Sequence, residues 1–285
     1  MFDRNIRVMA ANGDHTPRAK VTVPWLLQAK HEGRRIAMIT AYDATFAAIA
    51  DDAGVDVLLV GDSVATVMQG ERTTLPVSLE EMVYHTRIVA AARPKALVVG
   101  DLPFGTYQQG ATTGIDSSVR IIKAGAECVK LEGGVSVAHV IEAIATADIP
   151  VMGHIGLTPQ SYHRMGGNKI QGRQHGDQAG QRDRLLQDAH AVEQAGACAL
   201  VIEGVPAVLA AEITGKLSIP TIGIGAGPSC DGQVLVLHDV LGLSHRKLSF
   251  AKPYADLLSA STNAISEYVK EVRDNTWPDA EHSFS

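Results

Sequence analysis

Charged side chains recur where short apolar runs end. Asp62 and Ser63 follow VLLVG, Asp101 follows ALVVG, and Lys130 and Glu132 lie two apart within CVKLE. His154 follows PVMG, Glu203 follows ALVI, and His238 and Asp239 follow VLVL. Carboxylates gathered at one place repel unless something positive sits among them. Hard oxygen donors of this kind suit Mg2+ rather than zinc, and magnesium takes one or two carboxylates and leaves room for substrate oxygens. A 2-oxo acid could chelate such an ion through its carboxylate and keto oxygens, which would acidify the neighbouring C–H. Lys130 could then pair with the substrate carboxylate or the growing enolate oxygen. Glu203 is left as a base at carbon.

Each residue also has a plainer reading. An Asp after a strand commonly caps a helix or turns the chain. His154 alone reads as a satisfied structural histidine, and His238 and Asp239 as caps of a last helix. Lys130 and Glu132 could form a structural ion pair, at a desolvation cost. These readings lose force only if the strand ends share one mouth.

The elements that would bring them there are legible in the hydropathy pattern. Candidate strands are 36–40, 57–61, 96–100, 128–131, 150–153, 199–202, 221–224 and 234–237. Most are continuously apolar, as parallel strands buried on both faces are. Between them, 44–53, 79–92 and 184–195 read as helices, stopped by Gly54, Pro94 and Gly196. Eight such units predict an α/β fold, a closed (β/α)8 TIM barrel of one domain over 23–285, with all strand ends at one mouth. An open doubly wound sheet is the structural alternative. Residues 1–22 are polar and non-periodic and predict a short mobile extension. Residues 254–273 read as an amphipathic helix before an irregular tail.

Other features narrow the class. The 285 residues are 46% hydrophobic and 20% charged, with a net charge of −6. That balance argues against nucleic acid or an anionic membrane as partner. Cys128, Cys198 and Cys230 show no ligand spacing and no disulfide framework, which suits a reducing compartment. No run is long enough for a signal peptide or a membrane span, so a cytoplasmic protein is expected. The glycines of GIGAG (Gly223, Gly225, Gly227) make no nucleotide fingerprint and read as backbone geometry, with an anion nest as the alternative. The polar, glycine-rich stretch 166–180 reads as an active-site lid or a disordered loop.

Longer runs carry a resemblance. ITAYDATFA, VGDSVATVMQG, TTLPVSLEEMVYHT, GDLPFGTY, VKLEGG, MGHIGLTPQS, GGNKIQGR, IPTIGIGAGPSCDGQVLVLHD and EHSFS, in this order, resemble ketopantoate hydroxymethyltransferase from about Val23 to the C-terminus. The resemblance implies transfer of a hydroxymethyl group from 5,10-methylenetetrahydrofolate to 3-methyl-2-oxobutanoate. The products would be 2-dehydropantoate and tetrahydrofolate, on the route to pantothenate and coenzyme A. It implies one Mg2+ per subunit, bound by Asp62 and Asp101 with Glu132 belonging to the site in part through water. Substrate contacts carry over to Asp62, Ser63, Asp101 and Lys130. The general base carries over to Glu203, here followed by Gly204, a local variation that leaves the acid in place. His154 falls in the matching GHIGLTPQ run and is expected near the substrate or just behind the groups that touch it. The family also implies a barrel and a homo-oligomer, a decamer of two stacked pentameric rings.

Two rivals stand beside it. One is a Mg2+-dependent 2-oxo acid lyase of the isocitrate lyase or phosphoenolpyruvate mutase type, although none of the three cysteines sits in a KKCGH-like loop. The other is a catalytically silent barrel acting as a binding subunit.

Overall fold

The apolar runs form eight strands: β1 Ile36–Thr40, β2 Val57–Val60, β3 Leu97–Asp101, β4 Cys128–Glu132, β5 Val151–Gly156, β6 Ala199–Glu203, β7 Thr221–Ile224 and β8 Gly232–Leu235. They pair in sequence order and close into a barrel, β1 through β8, with every registered pair parallel. The doubly wound alternative is thereby excluded. This is a computed structural model, and it describes residues 18–173, 180–244 and 248–284.

Alternation along each strand decides what faces the barrel interior. Met38, Val57, Leu59, Leu97, Val99, Cys128, Met152, Ala199, Val201, Ile222 and Val234 form one buried apolar cluster that fills the inside. Val21, with Leu26 and Ala29 of helix α1 (Val23–His31), belongs to the same cluster, so the N-terminal segment closes the barrel floor. The intervening positions, such as Leu58, Val60, Val98, Val129, Leu131, Val151, Leu200 and Ile202, pack outward against the helices.

The helices in that layer are α2 Ala44–Asp52, the short α3 Val64–Val67, α4 Leu79–Ala91, α5 Ala111–Lys123, α6 Ala138–Thr146, the short α7 Tyr162–Met165, α8 Gln181–Gln194 and α9 Ala207–Lys216. Local sequence explains their ends. In α4 the Ser78 side chain accepts from the Glu81 N–H while Glu81 bonds back to the Ser78 N–H, a capping box. Met82, Thr86 and Val89 then recur on its buried face. Asp43 caps α2 by accepting from the Phe46 N–H.

One strand boundary shifts, and two further expectations fall partly outside the described residues. The last strand begins at Gly232 rather than Val234, because Gly232 and Gln233 lie opposite Ile222 and Gly223 of β7. A Cβ on Gly232 would sit 2.5 Å from the Ile36 carbonyl oxygen, so glycine is required where the barrel closes. Of the expected extension 1–22, residues 1–17 lie outside the described residues. From Arg18 onward the chain is fastened: Arg18 pairs with Asp56 at 3.1 Å, Lys20 with Glu127 at 2.5 Å, and Val21 is buried. Of the stretch 166–180, residues 174–179 also lie outside the described residues. Within 166–173, the Gln171 N–H bonds to the Gly204 carbonyl at 2.9 Å.

By contact density the chain divides into two units, residues 1–234 and 235–285. The second contains α10 (Leu237–Val240) and α11 (Leu257–Arg273), the latter capped by Asp256. Ile265, Tyr268 and Val272 of α11 are exposed. His238 and Asp239 fall in α10, in this second unit. Among the described residues, no helix is long and apolar enough to cross a membrane.

Candidate active site

The interior parity that places Val99, Cys128, Met152 and Val201 in the apolar layer places Asp101, Lys130, Glu132, His154 and Glu203 one or two steps further toward the C-terminal strand ends. Register then fixes their neighbours. Asp101 lies beside Lys130 across β3 and β4, and Glu132 beside His154 across β4 and β5. The strand ends do share one mouth, and the plainer readings can be tested residue by residue.

Neither Asp62 nor Asp101 caps a helix. The N-cap position of α3 is Ser63 and that of α5 is Gly110, each without a side-chain cap. Both carboxylates are instead buried together: the Asp62 N–H donates to Asp101 Oδ2 at 2.9 Å. Gly61 makes room for this, since a Cβ there would lie 2.8 Å from Ser63 Oγ and 3.5 Å from Asp101 Oδ2. Lys130 does not pair with Glu132 as the structural reading supposed. Its Nζ stands 2.6 Å from Asp101 Oδ1, with both side chains about as buried as any in the core.

Glu132 is held from two sides. Its Oε2 accepts from the Gln160 N–H at 2.9 Å, and its Oε1 lies 3.5 Å from His154 Nδ1. The other imidazole nitrogen, Nε2, lies 3.2 Å from Glu203 Oε2. His154 therefore links two carboxylates, one deep and one at the rim. Glu203 keeps 19% of its side chain exposed, against 4% for His154. Ser63 Oγ is 2.8 Å from the Tyr42 hydroxyl.

Electrostatics follow from burial. Asp62 is pushed up to about 8, first by burial and then by the charges of Asp101 and Glu132, with Lys130 and Gln160 pulling the other way. Burial also raises Asp101, against the downward pull of Lys130. Burial alone would depress the Lys130 ammonium, yet Asp101, Glu132 and Asp62 outweigh it and hold lysine above its ordinary value. Burial and the Lys130 charge oppose protonation of His154, but the flanking Glu132 and Glu203 carboxylates lift it to about 9.

Sequence reasoning passed over three residues. Gln160, in the 3-10 turn Pro159–Ser161 after β5, donates from Nε2 to Asp62 Oδ2 at 3.0 Å. Tyr107 donates to Gln160 Oε1 at 2.7 Å and accepts from the Glu132 N–H at 3.1 Å. Tyr42, fully buried, stands behind Ser63. All three lie in motif runs quoted above, but none carries a charge at neutral pH, so a search for ionised groups missed them. The glycines of GIGAG serve the backbone: Gly225 and Gly227 have φ of +58° and +78°.

A divalent cation fits this donor set by chemistry. Four carboxylates face one lysine and one histidine. Asp101 Oδ1, Glu132 Oε1 and both His154 nitrogens are buried without an aligned hydrogen-bond partner within the protein. Among the described residues, no group of three or more His, Cys, Asp or Glu side chains forms a ready cage for a metal ion. Two carboxylates with space for water and substrate oxygens are what magnesium commonly takes.

Comparison with known proteins agrees over nearly the whole chain. A family model described as ketopantoate hydroxymethyltransferase matches residues 20–280. The 3-methyl-2-oxobutanoate hydroxymethyltransferase of Trichlorobacter lovleyi is 55% identical, covering 94% of this chain and 100% of that protein. Those of Pelobacter propionicus and Caldivirga maquilingensis are 53% and 52% identical, covering 94% and 93% of this chain and 98% of each relative. Among solved structures, a phosphonopyruvate hydrolase complex with oxalate and Mg2+ superposes with a TM-score of 0.58 at 14% identity, covering 91% of this chain and 92% of that one. A 2,3-dimethylmalate lyase of the PEP mutase/isocitrate lyase superfamily gives 0.59 at 17%, covering 94% and 90%. At such identities the structural likeness shows the fold alone.

Proposed function

Given that the chain belongs to the ketopantoate hydroxymethyltransferase family, and so is a transferase of pantothenate biosynthesis, we propose that it adds a hydroxymethyl group to C3 of 3-methyl-2-oxobutanoate through an enolate, with 5,10-methylenetetrahydrofolate as one-carbon donor and Mg2+ as resident ion. Water supplies the hydroxyl oxygen, and 2-dehydropantoate and tetrahydrofolate leave. The relatives named above are hydroxymethyltransferases, which favours transfer over a lyase or a silent barrel.

In this reading Asp62 and Asp101 would hold the cation, and Glu132, already engaged by the Gln160 N–H and His154, would belong to the same site. Bound there, Mg2+ supplies a Lewis acid that polarises the keto group and acidifies the C3–H. Lys130, fixed against Asp101, offsets negative charge as it grows on the keto oxygen. Ser63, backed by the Tyr42 hydroxyl, hydrogen-bonds the substrate carboxylate. Glu203 takes the C3 proton. His154, protonated at neutral pH, orients the Glu203 carboxylate through Nε2. The floor of packed apolar side chains excludes water from below. The folate enters from the open side, where Glu203 is partly exposed.

The single observation that supports this most is the placing of Glu203. It is the carboxylate at the rim, held by His154, in a pocket whose other acids are buried around Lys130. The test is C3-proton exchange of 3-methyl-2-oxobutanoate in D2O, followed by NMR with and without Mg2+. Exchange is expected with Mg2+ and no folate, and 2-dehydropantoate once methylenetetrahydrofolate is added. Glu203→Gln should abolish exchange while sparing oxo-acid binding; exchange at the parent rate removes Glu203 from the role of base. The same reading takes the protein to be a cytoplasmic homo-oligomer, a decamer of two pentameric rings with one Mg2+ per subunit, and sedimentation tests the assembly.

A further inference from the structure

Gln160 is an uncharged side chain in a charged pocket, and it is only 6% exposed. Its amide has one workable orientation. Nε2 donates to Asp62 Oδ2 and to the Leu102 carbonyl, each at 3.0 Å. Oε1 accepts from the Tyr107 hydroxyl at 2.7 Å and from Gln108 Nε2 at 3.1 Å. Turned over, the amide would set its oxygen against the Leu102 carbonyl, which only accepts, and its donor against the Tyr107 and Gln108 donors. The backbone N–H of the same residue donates to Glu132 Oε2 at 2.9 Å.

One residue thus meets the carboxylates that follow β2 and end β4, together with the carbonyl just past β3. Tyr107 locks the arrangement from behind, since its hydroxyl also accepts the Glu132 N–H at 3.1 Å. Packing alone would be served by an apolar side chain of the same length. A buried amide is tolerable only when its polar atoms are satisfied, and two of the groups that satisfy this residue are site carboxylates.

We propose that Gln160 is a positioning residue: it grips Asp62 by Oδ2 and so fixes the carboxylate that would hold the cation, and Tyr107 fixes the orientation of the grip. This role rests on the metal reading given above. It explains why a carboxylate buried beside Asp101 keeps one geometry rather than rotating away from its like-charged neighbour. Groups that orient metal ligands in this way commonly matter about 10–100-fold for metal affinity.

The experiment is Mn2+ titration of the full-length, metal-stripped protein, read by EPR, for the parent, Gln160→Met and Tyr107→Phe. Thermal unfolding of each serves as the folding control, and KM for 3-methyl-2-oxobutanoate is measured alongside kcat. In Gln160→Met, Mn2+ affinity is expected to fall about 10–100-fold, with a raised KM and cooperative unfolding retained. Tyr107→Phe keeps both Nε2 bonds and should lose about two- to tenfold, the worth of one hydrogen bond. A parent that binds no Mn2+ overturns the metal reading itself. A parent that binds, beside a folded Gln160→Met with the same affinity and KM, overturns the role of Gln160 alone. Should Gln160→Met lose cooperative unfolding, Tyr107→Phe decides, and parental affinity and KM there overturn the role.

Discussion

Removing and restoring the metal ion should move a proton, and the structure says how much. Asp62 and Asp101 are buried together, and Asp62 is pushed up to about 8. Lys130 at 2.6 Å favours the ionised form of Asp101, so a proton shared by the pair rests mainly on Asp62. A ligand carboxylate must be deprotonated, so binding displaces that proton. With a pKa near 8, about nine-tenths of metal-free molecules are protonated at pH 7, about half at pH 8 and roughly a tenth at pH 9. Mg2+ binding should therefore release about 0.9 proton at pH 7 and roughly 0.1 at pH 9. Its affinity should rise about tenfold per pH unit below 8 and level off above. Calorimetry in buffers of different ionisation enthalpy reads the release directly. His154, near 9, could add protons of its own, and His154→Gln isolates the carboxylate share. The folding linkage has a matching sign. A carboxylate whose folded pKa is raised stabilises fully only below its unfolded value, and that contribution is lost as pH rises through about 8. Metal-free protein should thus melt lower at pH 8.5 than at pH 6, and Mg2+ should restore more at the higher pH. Proton release near zero at pH 7, with affinity flat from pH 6 to 8, would refute the claim that these acids share a proton.

Three further substitutions probe the same architecture. Lys130→Met leaves Asp101 buried without its cation, which should destabilise by about 3–5 kcal/mol and remove turnover; urea unfolding at pH 7.5 showing less than about 1 kcal/mol would mean the pair is not buried as found. Gly156→Ala adds a Cβ 2.2 Å from the Glu203 carbonyl oxygen at a residue with φ of +95°. It should displace Glu203, reducing C3-proton exchange and thermal stability together, and an unchanged exchange rate counts against the geometry. Ser78→Ala removes one arm of the α4 capping box and touches none of the site side chains named above. It should cost about 1 kcal/mol in urea unfolding with kcat untouched, and a fall in kcat would show α4 coupled to the site.

The sequence shows the barrel well because burial on both faces leaves continuous apolar runs, and each of the eight runs became a strand. It shows less of the boundary at β8, where the decisive residue is Gly232, a glycine needed for backbone approach rather than an apolar side chain. The charged half of the site was visible as strand-end acids and bases. Pairing was not: Lys130 two residues from Glu132 suggested a partner along the strand, whereas closure of the barrel gave it Asp101 across the sheet. His154 looked like a lone structural histidine until the register put Glu132 beside it and Glu203 beyond it. Gln160 stayed hidden for a different reason. An amide has no charge and no spacing signature, and its importance lies in partners far from it in the chain, Asp62 and three residues of the segment 102–108.

The charge pattern of the pocket also explains why this barrel can turn a packed core into a reactive one within a single strand. In β4, Cys128 belongs to the apolar floor, Lys130 stands two residues on, and Glu132 two residues further. Such a strand is unfavourable alone, since an unpaired buried charge is far costlier than a missing contact. It becomes tolerable because β3 sets Asp101 beside the lysine and β5 sets His154 beside the glutamate. Even so the acids outnumber the bases, and burial together with the charges of Asp101 and Glu132 raises Asp62. In the proposed reading a divalent cation would remove that excess by displacing the Asp62 proton, with room left for a 2-oxo acid. The surplus of negative charge is therefore not a defect of packing. It is what would make cation binding favourable while leaving one acid, Glu203, at the rim as the proposed base.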